Sequence, residues 1–292
     1  MHYPAQSTAY LHMLVAQKKG FFQREGLDVD LILARANIAI AALMSGDIQY
    51  SGAQGSAIRA AIKGMPLKVI LFTSQKQLHW LVVRPELHRV EDLRGKTIGV
   101  SSFGSEVDTM VLEIMKHSGL EPDRDFKRVN IGDTAFRLNA LRQRLIDATL
   151  LSVPQNIMAR REGFGIILEA YNIIELPGTG LATTEQRIRE RPDEVRKVIR
   201  SLLKSVAYIK ENREEAVAMA TDWLKIDRSL VEESYKLEEP FFSLDGETSA
   251  KGLQASLKIA VAEAGLKETI PLSKVIDLSA LNEVRRELGL RK

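Results

Sequence analysis

Ala16–Gln–Lys–Lys–Gly20–Phe–Phe–Gln–Arg–Glu–Gly–Leu–Asp–Val–Asp30, followed by Ala41–Ala–Leu–Met–Ser–Gly–Asp–Ile–Gln–Tyr50 and Gly52–Ala–Gln–Gly–Ser–Ala57, is the stretch on which the fold turns. Helical periodicity from Leu11 to Lys19 stops at Gly20, a C-terminal cap. Leu27 to Leu33 alternates as a strand does. Ile38 to Met44 reads as a helix closed by Ser45–Gly46–Asp47, Ile48 to Gly52 as a strand, and Ser56 to Lys63 as a helix ended by Gly64. Leu67 to Thr73 is apolar and suits a buried strand. Alternating helix and strand predicts a parallel sheet with crossover helices, and small residues after a strand let a ligand approach the backbone. Such a sheet opens on a strand. Tyr3 to Gln6 is expected to be the carboxyl end of one whose beginning, with any export leader, lies outside the sequence.

The middle of the chain repeats this plan. Strands are expected at Leu78 to Arg84, Thr97 to Val100, Lys127 to Asn130, Ala148 to Leu151 and Gly165 to Leu168. Helices are expected at Glu106 to His117, Asp133 to Arg144 and Pro154 to Arg161, with the small-residue loop Ser101–Ser–Phe–Gly–Ser105 between strand and helix. From Thr184 onward the pattern becomes helical: Pro192 to Asn212, Glu214 to Leu224, Ser229 to Lys236, Ser249 to Ala264 and Ser279 to Leu288, with the Ser279 hydroxyl as a cap. The expected class is α/β with two lobes: residues 1–79 open lobe 1, residues 80–174 form lobe 2, and residues 175–292 complete lobe 1 with a helical tail. Two crossings between lobes make a hinge, and the expected ligand site is the cleft between them, beyond the carboxyl ends of the strands.

The 292 residues carry 41 basic and 38 acidic side chains, a net charge of +3 too evenly spread to predict nucleic-acid binding. There is no cysteine, which removes disulfides, thiolate nucleophiles and cysteine-based metal sites. No run of 18 apolar residues occurs. Walker, dinucleotide, HExxH and nucleophile-elbow patterns are all missing, so no cofactor, metal or catalytic residue is assigned.

Gln17–Lys–Lys–Gly–Phe–Phe–Gln–Arg–Glu–Gly–Leu–Asp–Val, Ala42–Leu–Met–Ser–Gly–Asp–Ile, Ala61–Ile–Lys–Gly–Met–Pro–Leu–Lys–Val and Glu91–Asp–Leu–Arg–Gly–Lys–Thr–Ile–Gly–Val resemble the solute-binding proteins of ABC importers. The branch is the one that serves nitrate, taurine and alkanesulfonates and includes binding proteins for thiamine-precursor pyrimidines. The resemblance implies a type 2 periplasmic-binding-protein fold. It also implies a monomeric receptor in the periplasm or at the cell surface, which closes on a small organic solute and docks to a membrane permease. Enzymatic relatives in this superfamily use cysteine, which this chain lacks. The alternatives are a ligand-sensing regulatory module and a non-cysteine enzyme on the same fold.

The candidate ligand contacts are those that strand-end loops would carry. Ser7 and Thr8 precede the first helix, Gln54, Gly55 and Ser56 open a helix after a strand, and Ser102, Phe103, Gly104 and Ser105 form the matching loop of the second lobe. Asp133 and Thr134 start a helix, with Asp133 equally suited to capping it; Ser152 and Gln155 follow another strand. Gln75 lies at the first crossing. Arg35 would suit a sulfonate or carboxylate, whereas Phe103 and Trp80 would suit a pyrimidine-like or other aromatic solute. The five histidines are expected to be structural or exposed.

Overall fold

His2 decides how the first sheet is assembled. In the computed structural model, which describes residues 1–267 and 269–290, its ring lies between Ser51 Oγ at 2.8 Å and the carbonyl of Ala34 at 2.9 Å. Its backbone accepts from Gly52 N at 2.8 Å and donates to Tyr50 O at 2.9 Å. The strands of the described chain are β1 (His2–Tyr3), β2 (Ile32–Leu33), β3 (Leu67–Phe72), β4 (Trp80–Val83), β5 (Thr97–Val100), β6 (Lys127–Asn130), β7 (Ala148–Leu151), β8 (Gly165–Glu169) and β9 (Gly180–Thr184). They divide between two compact units, Met1–Gln77 with Leu176–Lys292, and Leu78–Glu175.

In the first unit β1 runs parallel to β2, and β3 antiparallel to β9. A single residue joins the two pairs: Ser51 bridges to His2 on one side and to Ala182 on the other. The expected strand from Leu27 to Leu33 is therefore confined to Ile32–Leu33, because β1 offers only two pairing residues. The expected strand from Ile48 to Gly52 is reduced to this one-residue bridge. The β3–β9 pair departs from the all-parallel expectation: the chain re-enters this unit at Leu176 and lays β9 alongside β3 in the reverse direction.

The helical tail supplies much of the core of this unit. Helix Pro192–Glu211 has proline in its first turn and Asp193 and Glu194 facing the positive end of its dipole. Val195, Val198, Ile199, Leu202, Val206 and Ile209 recur at intervals of three and four and form its buried stripe. Val195, Val198, Ile199 and Leu202 of that stripe, with Phe22, Ile70, Leu71, Leu281 and Val284, build one apolar cluster, and Ile209 joins a second with Leu11, Leu14 and Val15. Ser279 does not cap the last helix, Ser279–Glu287; the Asp277 carboxylate accepts from both its backbone N, at 3.0 Å, and its hydroxyl, at 2.6 Å.

The second unit holds a five-stranded sheet in the order β6–β5–β7–β4–β8. β5 is parallel to β6 and β7, whereas β4 is antiparallel to β7 and β8. Gly99 in β5 is required by packing: a Cβ there would come within 2.6 Å of Ile146 Cδ1. Because β6, β5 and β7 run the same way, the loops that follow them emerge side by side at one edge.

Two predictions follow from these cores. Leu281→Ala removes a fully buried side chain and is expected to cost about 2–5 kcal/mol of unfolding free energy in urea titration; a change near zero would mean that the last helix adds nothing to the core. His12 and His79 are buried, and burial pushes them down to about 4 and about 3, His79 being lowered further by Arg137. Both are neutral in the folded protein, whereas the unfolded chain takes up protons below about 6.5. Their contribution is complete above that value and is lost as the pH falls towards the folded values. His12→Gln should reduce the slope of stability against pH between 6 and 4 by up to about 1.4 kcal/mol per unit; an unchanged slope would contradict the assignment.

Candidate functional site

The edge of the second sheet gathers three strand-end loops. After β5, Ser101 Oγ donates to Ser105 Oγ at 2.7 Å, and Ser105 caps helix Glu106–His117 by accepting from Asp108 N at 3.2 Å. Gly104 has φ +71°, a left-handed conformation that glycine adopts without strain, and its N–H donates to Asp108 Oδ2 at 2.8 Å. The other Asp108 oxygen receives Arg128 Nη1 at 2.7 Å, and both side chains are largely buried. From there the Arg128 guanidinium lies 5.5 Å from the ring centre of Phe103, a cation–π distance. Phe103 is 60% exposed; Ser102 and Gly104 are exposed beside it. The loop is thus fixed from behind and presents a phenyl ring in front.

The neighbouring loop, after β6, starts helix Thr134–Arg142. Asp133 is its N-cap, accepting from Ala135 N at 2.9 Å and Phe136 N at 3.1 Å. Thr134 Oγ1 is buried with no hydrogen-bond partner, and Phe136 is 59% exposed. After β7, Ser152 is half-buried, and Gln155 Oε1 and Asn156 Oδ1 are buried without partners at the start of helix Gln155–Arg161. Buried polar atoms are nearly always hydrogen-bonded in native proteins, so such a group of orphans at one sheet edge calls for a partner from outside the chain. Arg128 Nε is a further orphan, and it is a donor.

Arg137 was not legible as a contributor, yet it ties the loop after β6 to strand β7. Its buried guanidinium donates to Gly132 O at 2.5 Å and, through Nε and Nη2, to Leu150 O at 3.3 and 3.2 Å. Burial pulls it down to about 10, opposed by Asp133, and among the described residues no carboxylate pairs with it directly. Trp80 is 4% exposed within β4 and packs edge-on against Tyr171, with ring centres 5.9 Å apart. In the structure it is a core side chain.

At the corresponding edge of the first unit, Ser7 and Thr8 are buried at the 3₁₀ turn Thr8–Tyr10, and the expected capping bond from Ser7 is not made. Thr8 Oγ1 is a buried orphan. Thr73, at the end of β3, contacts Thr179 Oγ1 at 2.9 Å and His12 Nε2 at 3.4 Å. Gln54 is buried, and its Nε2 donates to Gly178 O at 2.5 Å, so the side-chain amide is engaged in a structural bond; Gly55 is buried and Ser56 half-buried behind it. Gln75 is exposed, but its backbone is held by Phe241 O and Thr248 Oγ1, both at 2.8 Å. Arg35 is exposed at the N-cap position of helix Ala36–Ser45 and forms no ion pair among the described residues. Sequence pattern gives no hint of Glu238, a carboxyl buried at the end of helix Arg228–Glu238; only the structure brings it beside Thr8. Among the described residues no group of three or more histidine, aspartate or glutamate side chains is placed to hold a metal.

Comparison with known proteins fits this architecture. Riboflavin-binding protein RibY of Chloroflexus aurantiacus is 24% identical over 240 residues, which are 75% of this chain and 66% of RibY. The periplasmic nitrate-binding protein NrtA of Synechocystis PCC 6803 superposes with a TM-score of 0.80 at 12% identity, covering 99% of this chain and 89% of NrtA. The desulfurization enzyme DSZB superposes with a TM-score of 0.70 at 12% identity, with 99% of each chain covered, so the fold alone does not separate binding from catalysis. The family described as NMT1/THI5 like matches residues 7–216. The chain belongs to that family.

Proposed function

We propose that this protein is an extracytoplasmic receptor that binds a small organic solute without transforming it and delivers it to the permease of an ABC importer. The observation that carries this reading is the set of unpartnered buried polar atoms, Thr134 Oγ1, Gln155 Oε1 and Asn156 Oδ1, at the same sheet edge as the exposed rings of Phe103 and Phe136. A solute would satisfy the first and cover the second. The resemblance to importer receptors and the membership of the NMT1/THI5-like family support it. The absence of cysteine argues against the nucleophile used by enzymes of this superfamily.

Both units carry candidate contacts for the solute. They are Ser7, Thr8, Arg35, Gln54, Gly55, Ser56 and Gln75 in the first, and Ser102–Ser105, Asp133, Thr134, Ser152 and Gln155 in the second. The chain passes between units at Gln77–Leu78 and Glu175–Leu176, and these two crossings serve as the hinge. Contacts made only in the closed form shift the population towards it, and the permease recognises that form.

Melting in the presence of riboflavin, taurine, an alkanesulfonate, nitrate and a 4-aminopyrimidine tests the proposal. A solute at a hundred times its Kd should add about 2.7 kcal/mol of stability and be recovered unchanged; its conversion to product would sink the receptor reading. Phe103→Ala should weaken a ring-bearing solute about tenfold, ~1.4 kcal/mol, and leave a ring-free solute unaffected. Asp108→Asn strands the Arg128 charge and should lower stability by about 3 kcal/mol, measured by urea unfolding. A loss below about 0.5 kcal/mol would mean that the pair does not brace the loop.

A further inference from the structure

Helix Arg228–Glu238 buries five side chains: Leu230, Val231, Ser234, Tyr235 and Glu238. Two are apolar. The Ser234 hydroxyl donates to Leu230 O at 2.7 Å, and the Tyr235 hydroxyl donates to Ile209 O at 3.1 Å. Glu238 is the exception. It is 9% exposed and forms no ion pair among the described residues, and a hydrogen bond from Thr8 favours its ionised form. The cations carried by nearby segments are engaged elsewhere. Lys210 pairs with Glu239 at 3.2 Å, Arg213 lies over the Tyr235 ring, and Lys76 lies over the Phe241 ring. Thr8 Oγ1, beside the carboxyl, is itself buried without a partner of normal geometry.

The position of this pair matters as much as its chemistry. Thr8 stands in the loop that leaves the carboxyl end of β1. Beyond Glu238 the chain runs along the end of β3, where Gln75 N donates to Phe241 O at 2.8 Å and Ser74 bridges to Phe242. Carboxyl and hydroxyl therefore sit at the strand-end edge of the first unit, where ligands of open α/β sheets bind. Leaving a carboxyl buried without a cation or a set of N–H donors is costly, and a well-packed core would use an apolar residue instead.

We propose that Glu238 and Thr8 form a subsite that accepts hydrogen bonds from a nitrogen of the solute, either an ammonium or amidinium group or a ring or exocyclic N–H. This inference rests on the receptor reading and adds to it the class of solute. Burial pushes the Glu238 carboxyl up to about 8, with Thr8 acting in the opposite direction, so near neutral pH the unliganded protein holds it mainly as the acid. A cationic nitrogen restores the carboxylate, and the proton released goes to solvent. A neutral N–H group instead donates to the carboxyl C=O. Because the raised value stabilises the fold fully only below about 4.5 and less as the pH rises through about 8, Glu238→Gln should raise the melting temperature of the unliganded protein at pH 8. It should do so while impairing binding, as expected of a group kept for function.

Matched probes test the subsite by calorimetric titration: taurine against isethionate, 4-aminopyrimidine against 4-methylpyrimidine, and riboflavin against its N3-methyl derivative. The wild-type protein should bind the N–H member of at least one pair tenfold or more tightly than its partner. Glu238→Gln should abolish that preference, and Thr8→Val, which keeps the fold should the first variant not, should reduce it severalfold. Equal affinity within each pair, or binding within twofold of wild type in both variants, would overturn the subsite and leave the receptor reading standing. If the wild-type protein binds none of the six probes and carries no copurifying solute, both fall.

Discussion

The contact between His2 and Ser51 is the constraint on which the first unit depends. The two strand pairs of that unit share no direct ladder; one serine joins them, pairing with His2 on one side and Ala182 on the other. The His2 ring reinforces the join by linking Ser51 to the Ala34 carbonyl, and burial holds that ring below its ordinary pKa. Three strand-end loops are brought together by this one junction: those leading to Thr8, to Arg35 and to Gln54. The second unit reaches a similar result differently, with three adjacent parallel strands and an arginine, Arg137, bonded to the Gly132 carbonyl in the loop after β6 and to the Leu150 carbonyl within β7.

What these edges have in common is polarity left unsatisfied. Elsewhere some buried polar side chains are matched, Thr149 Oγ1 donating to Gly99 O at 2.8 Å and Ser205 Oγ to His12 O at 2.6 Å, although His79 Nδ1 and Arg285 Nε also lack partners among the described residues. At the loop edges Thr8, Thr134, Gln155 and Asn156 each keep an atom without a partner, and Glu238 keeps a carboxyl away from the cations around it. Leaving such groups unpaired lowers the stability of the free protein and raises the gain when a complementary solute arrives.

Much of this organisation was legible in the sequence because it rests on local signals. Periodicity located helices Pro192–Glu211 and Glu106–His117, and Gly20, Gly46, Gly64 and Gly163 take the left-handed conformations expected at turns. The loop Ser101–Ser105 stands out as small residues between a strand and a helix. What stayed hidden depends on pairing between distant segments. No local pattern could say that Ile48 to Gly52 would pair through one residue, or that β9 would lie antiparallel to β3. Trp80 illustrates the same limit: its place in a strand was legible, but not that β7 and β8 would enclose that strand on both sides. Arg128, Arg137 and Glu238 are ordinary charged residues in sequence, and only burial among particular partners distinguishes them.

The most direct measurement is an experimental structure of the protein with the solute it retains or binds. The account predicts a solute whose nitrogen meets Thr8 and Glu238, with its own polar atoms satisfying the unpartnered ones there. A solute bound away from Thr8 and Glu238, with those atoms still unpartnered, would contradict it.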